Sequence, residues 1–349
     1  APLWIRLYCK GRGKRTPEMQ QTHRAFLGVL HYLTGKLSRA VRIFDSLGGD
    51  TERLPDDIVL LEYHLLMAHC YALSGRVARA ISLIDSIRTH AHLNHRSDVE
   101  AWSLGTLGII LIESGWFTES QGVLAEIARI ENWDAHFVSR YEYYWTKAYL
   151  LFARGQYNEM AQALRELFSL PEGYTVANYF TPTGIEVAVH LRHMDPAQCE
   201  AAGLTPFAAL FGARLDKDTA YPAVQGQVMV YEAYHQYRQD HDVARACERL
   251  RAAEAPLLQA GAHLAIAKAR ILQARILSEA GRPERAVEAL HDSRPVIAEM
   301  GDGLLDGFLR HHLEPEAPEK LLLHAVMSLS HSLGTLRDAD MLINKAMET

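Results

Sequence analysis

The sequence predicts an all-α fold: a right-handed superhelical solenoid of about seven helical hairpins with a C-terminal connector helix. Three observations predict it. The first is a fixed period. The stretches Gly35 to Ala40, Gly75 to Ala80, Gly115 to Ser120 and Gly155 to Met160 begin 40 residues apart, and so do His241 to Ala246 and Gly281 to Ala286. A repeat of this size marks a stack of supersecondary units. The second is the chemistry of the turn: a glycine that can take a left-handed conformation at a helix end, then a small residue five positions later where a second helix crosses the first. The third is the flanking pattern. Seven residues before the turn stand Gly28, Ala68, Gly108, Ala148, Tyr234 and Ala274, mostly small; nine after it stand Phe44, Ile84, Leu124, Leu164, Leu250 and Leu290, all large and apolar. Small residues let helices approach, and large ones plug the neighbouring hairpin.

The elements follow in order. Residues 1–20 form an N-terminal segment or linker, with a basic, glycine-containing run from Lys10 to Arg15 that lacks the spacing and hydroxyl of a phosphate-binding loop. From 21 to 169 four hairpins run in register. Their apolar residues recur at helical spacing, as in Phe26, Leu27, Leu30 and Leu33, then Leu37, Val41, Phe44 and Leu47. Asp56-Asp57 and Ser97-Asp98 are expected helix starts. Residues 170–220 break the rhythm around Pro171 and Pro182, and an irregular hairpin is expected there, with helices near 183–193 and 196–212. Two further hairpins occupy 221–303, their first helices near 221–239 and 261–280. Pro283 is well placed in the first turn of a helix. Residues 304–349 read as a short helix, a linker at Glu314 to Pro318 and connector helices.

Around each turn the pattern resembles a tetratricopeptide repeat. The common repeat is 34 residues long, so a 40-residue period implies longer helices or linkers. Ser120 and Met160 stand in place of alanine, His241 in place of glycine, and Tyr234 is bulky where a small residue is expected. Longer, degenerate repeats of this kind are similar to those of bacterial regulators, such as maltose-activator-like sensor regions. The tail from Glu319 to Thr349 resembles the lead-in to a GAF sensory domain, whose core is absent. Repeats followed by GAF resemble the order in sigma-54-dependent activators and sensor kinases, which implies a cytoplasmic bacterial regulator. The opening alanine is read as continuing a longer chain.

Composition narrows the function classes. Of 349 residues, 48% are hydrophobic and 22% charged, as in ordinary globular proteins. A net charge of −6 argues against a nucleic-acid footprint over the whole chain. Cys9, Cys70, Cys199 and Cys247 are scattered, which favours reduced thiols over disulfides or zinc. No apolar run of about 18 residues marks a membrane span.

Candidate sites follow from position. Histidines cluster at His90, His92 and His95 and at His311-His312, but without metal-binding motifs. No nucleophile elbow or nucleotide loop is present, so no catalytic residue, metal or cofactor is assigned. Eleven of the 15 tyrosines fall between 141 and 237. In a tetratricopeptide array the first helices line a concave groove. By position the resemblance gives that groove Glu62 and His69, then Trp102 and Glu113, then Glu142, Trp145 and Tyr149. The late units add Tyr231, Glu232, His235, Arg238, Lys268 and Arg275. The competing reading of the aromatic residues is packing between hairpins. Arginines recurring on second helices, among them Arg245, Arg249 and Arg251, read as a solvated convex face.

The expected function is a non-catalytic binding and sensor module. It takes a protein or peptide partner, or a small effector, without membrane or direct nucleic-acid contact, and relays binding to a downstream domain. Homo-oligomerisation through the C-terminal helix is a further expectation. A scaffold for protein assembly and a peptide-pheromone receptor are the alternatives, as is an array whose associated enzyme lies outside this sequence.

Overall fold

The computed structural model describes residues 17–47, 58–134, 137–169 and 184–298. Among these it contains fifteen α-helices and no strand. They pair as hairpins α1 (Pro17–Leu33) with α2 (Leu37–Ser46), α3 (Ile58–Leu73) with α4 (Val77–Leu93), α5 (Ser97–Glu113) with α6 (Phe117–Ile127), and α7 (Phe137–Ala153) with α8 (Tyr157–Phe168). An irregular unit follows: α9 (Ile185–His193), α10 (Pro196–Ala201) and α11 (Thr205–Asp218). Two long hairpins complete the array, α12 (Pro222–Asp240) with α13 (Val243–Ala260) and α14 (His263–Glu279) with α15 (Pro283–Ala298). The N-terminal run, Asp56-Asp57, His311-His312 and the GAF-like tail lie outside the described residues.

The repeated turn has a definite hydrogen-bonding chemistry. At Gly35 the backbone φ is 66°, the Gly35 amide donates to the Tyr32 carbonyl at 2.9 Å, and the Lys36 amide donates to His31 at 2.8 Å. These two bonds satisfy carbonyls that a helix end leaves without partners. The same pair recurs at residues 75, 115, 155 and 281. His241 holds the left-handed conformation without being glycine, at φ 55°, and closes its turn with a single bond from its amide to Tyr237. All six residues five positions after the turn are buried, including Met160 and Ser120, and the Ser120 hydroxyl donates to the Gly108 carbonyl at 3.1 Å. A serine is tolerated there because its polar atom finds a backbone acceptor.

A close helix approach joins α5 to α7. A β-carbon on Gly105 would fall 2.5 Å from Glu142 Cβ, and one on Gly108 would fall 2.6 Å from Thr146 Cγ2. The Thr146 and Ser139 hydroxyls donate to the Gly105 and Asp98 carbonyls at 3.1 and 2.8 Å. Polar side chains thus fasten two helices whose facing surface has almost no side-chain bulk.

Three expectations are corrected. In α1 the buried stripe is Phe26, Val29 and Tyr32, while Leu27 is exposed. Ser97 does not cap α5: the cap position is Arg96, with no side-chain cap, and its guanidinium grips Asp98 instead. The helix expected over 196–212 is two helices, because Gly203 takes φ 72° and Pro206 starts a new first turn. α9 packs on both α11 and α12, which lets the irregular unit bridge the two repeat blocks.

The array comes round on itself. Ser38 Oγ in the first hairpin donates to the Ala260 carbonyl at 3.4 Å, and Gly35 lies against Tyr221 and Ala223. α14 also packs on α3. Hairpins distant in sequence are therefore neighbours across the axis of the superhelix.

Candidate functional site, the inner face of the superhelix

The first helices of the hairpins, with α9, turn one face toward this axis, and that face is rich in polar groups. Glu113, at the end of α5, pairs with Lys268 of α14; both side chains are about 5% exposed. The other Glu113 oxygen accepts from the Tyr149 hydroxyl at 3.0 Å and from the Gly184 amide at 3.2 Å. Tyr231 donates to Glu186, which also lies against Tyr149. Burial raises the pKa of Glu186, opposed by the charge of Lys268 and reinforced by that of Glu113. Burial likewise drives the Tyr149 and Tyr231 hydroxyls far above their ordinary range. One ammonium and two carboxyl groups, roofed by two tyrosines, thus join α5, α7, α9, α12 and α14.

Beside this cluster sit two buried groups in unusual states. His69 is pushed down to about 4 by burial, and its Nδ1 has no hydrogen-bond partner among the described residues. Glu142 is pushed up to about 8 by burial, offset in part by a hydrogen bond from Trp102, and its Oε2 has no such partner. A desolvated charge without partners is costly, so each is held neutral near pH 7. Trp145 packs on Gly184, Phe211 and Tyr149.

Of the residues placed on the groove by position, Glu113, Tyr149, Tyr231 and Lys268 meet in this cluster, and most of the set is buried. His69, Trp102, Glu113, Glu142, Trp145, Tyr149, Tyr231 and Lys268 are buried. The Glu62 side chain lies outside the described residues. Glu232, His235, Arg238 and Arg275 form a rim on α12 and α14, with Arg238 exposed and the other three partly buried. There Arg192 reaches Glu232 at 3.5 Å, and Arg275 lies over the Tyr234 ring at 5.4 Å while pairing with Glu279.

The rim also contains a histidine group that sequence reasoning missed. The His235 ring centroid lies 5.2 Å from that of His190 and 5.1 Å from that of His193, and the Tyr157 hydroxyl meets His190 Nε2 at 3.0 Å. Burial and the neighbouring His193 push His190 down to about 4, and burial with His190, His193 and Arg238 does the same to His235. The spacing of His190 and His193, three apart on one helix, was legible; their meeting with α12 depends on how the irregular unit packs. His90, His92 and His95 are instead spread over a helix end, with His92 facing Glu100 at 3.3 Å. Among the described residues no group of three or more histidine, cysteine or acidic side chains is arranged to hold a metal ion. Cys70, Cys199 and Cys247 are free and buried.

No family model matches this chain, and no curated protein matches it. Among solved structures it is similar to a monomeric mutant of IFIT1 with Gppp-AAAA, at 15% sequence identity and a TM-score of 0.31. That match covers 88% of this chain and 65% of the other, so this chain spans just under two thirds of its length. The assignment to tetratricopeptide-like hairpins rests on the turn geometry and buried small positions described above. Among the described residues no helix is long and apolar enough to cross a membrane.

Proposed function

We propose that this chain is a non-catalytic binding and sensor module of a cytoplasmic bacterial transcription or signalling protein. It takes a protein or peptide partner on the rim of its inner face and passes the event to a downstream domain. The observation that supports the reading is convergence: α12 and α14 bring Glu232, His235, Arg238 and Arg275 to one edge, where Arg238 is exposed and the other three are partly buried. Aromatic rings with a few charged groups around them suit peptide recognition. The relay rests on the GAF-like sequence of 319–349, and the bacterial setting on the resemblance of the repeats to those of bacterial regulators.

A photoreactive residue placed at Arg238 tests this in cells of the source organism, with the same residue at Glu248 on exposed α13 as the control. Crosslinking of a partner from 238, absent from 248 and abolished by Arg275→Glu at unchanged helicity, is the expected result. Equal crosslinking from both positions would overturn the assignment.

A further inference from the structure

A second recognition feature lies away from the inner face, in a cleft of about 380 Å³ between α13, α14 and α15. Its walls carry four arginines, Arg251, Arg270, Arg282 and Arg285, against two carboxylates, Glu254 and Glu288. Arg270 is neutralised: its guanidinium grips Glu254 through two bonds, at 3.0 and 3.3 Å. Arg251 is steered by a bond from its Nε to the Cys247 carbonyl at 3.2 Å, which leaves its terminal nitrogens available. Arg282 immediately precedes α15, and Arg285 lies in its first turn. Three cations therefore face one acid.

These cations line one cleft together with Cys247. The Cys247 thiol, buried in the cleft wall, feels the charge of Arg251, Arg285 and Arg282 together. Like charges gathered round a concavity repel one another unless an anion joins them, and planar guanidinium forks match a phosphate through paired hydrogen bonds. The N-terminal end of α15 adds positive potential on the same side. The remainder of the lining is mixed: Leu277 and Ala289 are apolar, Gln273 is a neutral donor and acceptor, and Glu288 accepts only. A carboxylate opposite the arginines suits hydroxyl groups. The volume falls within the range of about 300–1,000 Å³ usual for small-ligand sites.

We propose that this cleft binds a small phosphorylated polyol, a sugar phosphate or nucleoside monophosphate, with Arg251, Arg282 and Arg285 on the phosphate and Glu288 on the hydroxyls. The site is separate from the rim formed by α9, α12 and α14, so either can fail without the other.

Isothermal titration calorimetry of the full chain tests it with three probes: inorganic phosphate, glucose 6-phosphate and adenosine monophosphate. At least one organic phosphate is expected to bind at one site per chain and tenfold or more tighter than inorganic phosphate; which one binds tighter identifies the source. Arg282→Ala with Arg285→Ala should weaken that binding at least tenfold. Arg285→Lys, which keeps the charge and loses the fork, should weaken it measurably. Arg88→Ala, on the outer surface of α4, should leave it unchanged. Circular dichroism on each variant separates lost binding from lost folding, and Arg285→Lys supplies the decision if the double variant fails to fold. Absence of binding by both organic phosphates, equal affinity for inorganic phosphate, or binding indifferent to the arginine variants would each overturn the proposal.

Discussion

Replacing Lys268 by methionine removes the ammonium but keeps the length of the side chain, and so leaves the Glu113 carboxylate in the axis with two of its three partners. Breaking a buried ion pair from one side costs about 3–5 kcal/mol, because the surviving charge is desolvated without compensation. Glu113 retains the Tyr149 hydroxyl and the Gly184 amide, which places the loss near the lower end, about 3 kcal/mol. The pair spans 155 residues and ties α5 to α14, so its loss should also loosen the closure of the array. In a solenoid whose units touch only their neighbours, unfolding can proceed unit by unit; here contacts across the axis couple the ends. Urea denaturation followed by circular dichroism should therefore show a lower midpoint for Lys268→Met and a shallower slope, the slope reporting the surface exposed in one cooperative step. Adding Glu113→Gln removes the stranded charge and keeps an acceptor for Tyr149 and Gly184. The double variant should recover to within about 1.5 kcal/mol of the parent, as replacing both members of a buried pair often does. A Lys268→Met protein within about 0.5 kcal/mol of the parent, with an unchanged slope, would refute both the energetics and the role in closure.

Further outcomes can be checked on the same footing. His241→Gly should stabilise by about 0.5–1 kcal/mol in thermal denaturation, because the left-handed backbone at φ 55° costs a residue with a β-carbon more than the entropy glycine loses. Gly105→Ala should destabilise by about 1–3 kcal/mol, since the new methyl would sit 2.5 Å from Glu142 Cβ and α5 and α7 would have to part. Acid should act through His69. Its folded pKa of about 4 lies below the ordinary 6.5, so stability is fully present above 6.5 and is lost as pH falls toward 4, by up to about 3 kcal/mol. His69→Phe should flatten that slope in urea titrations at pH 4.5 and 7. Glu142 acts in the opposite sense: its folded value of about 8 exceeds the ordinary 4.5, so its contribution is present below 4.5 and lost as pH rises through 8. Glu142→Gln should accordingly gain on the parent between pH 5 and 8, measured the same way.

Much of the fold was legible because the turn is chemically repetitive. Gly35, Gly75, Gly115, Gly155 and Gly281 all hold left-handed backbone, and the residues five positions beyond them are buried whatever their identity. Even the departures could be rationalised locally: His241 takes the glycine conformation, and Ser120 satisfies its hydroxyl on Gly108. The irregular unit was harder. Its division at Gly203 turns on one backbone angle, and its packing on α12 is tertiary, so neither leaves a periodic trace. The same packing assembles His190, His193 and His235 from helices far apart in sequence, which spacing alone does not reveal.

The inner face shows where position in a repeat stops being informative. A repeat register assigns His69, Trp102, Glu113, Glu142, Trp145, Tyr149, Tyr231 and Lys268 to an inner groove, and all eight are buried. It does not say how tightly the array winds, because that depends on small rotations accumulated from one hairpin to the next. Here the winding brings Ser38 to Ala260 and Glu113 to Lys268, and residues that would line an open groove become the packed wall of a closed one. Polar groups at those positions then need partners of their own. Glu113 and Glu186 have them; His69 and Glu142 meet the demand by staying neutral. A purely structural axis would be more stable built from apolar residues of the same volume. Retaining charge there links the closure of the array to protonation, and Arg275 of the rim stands on α14, the helix that the Glu113–Lys268 pair ties to α5. The rim proposed for a partner and the closure of the axis therefore share α14, and a partner that prefers one position of that helix would shift the winding of the whole array.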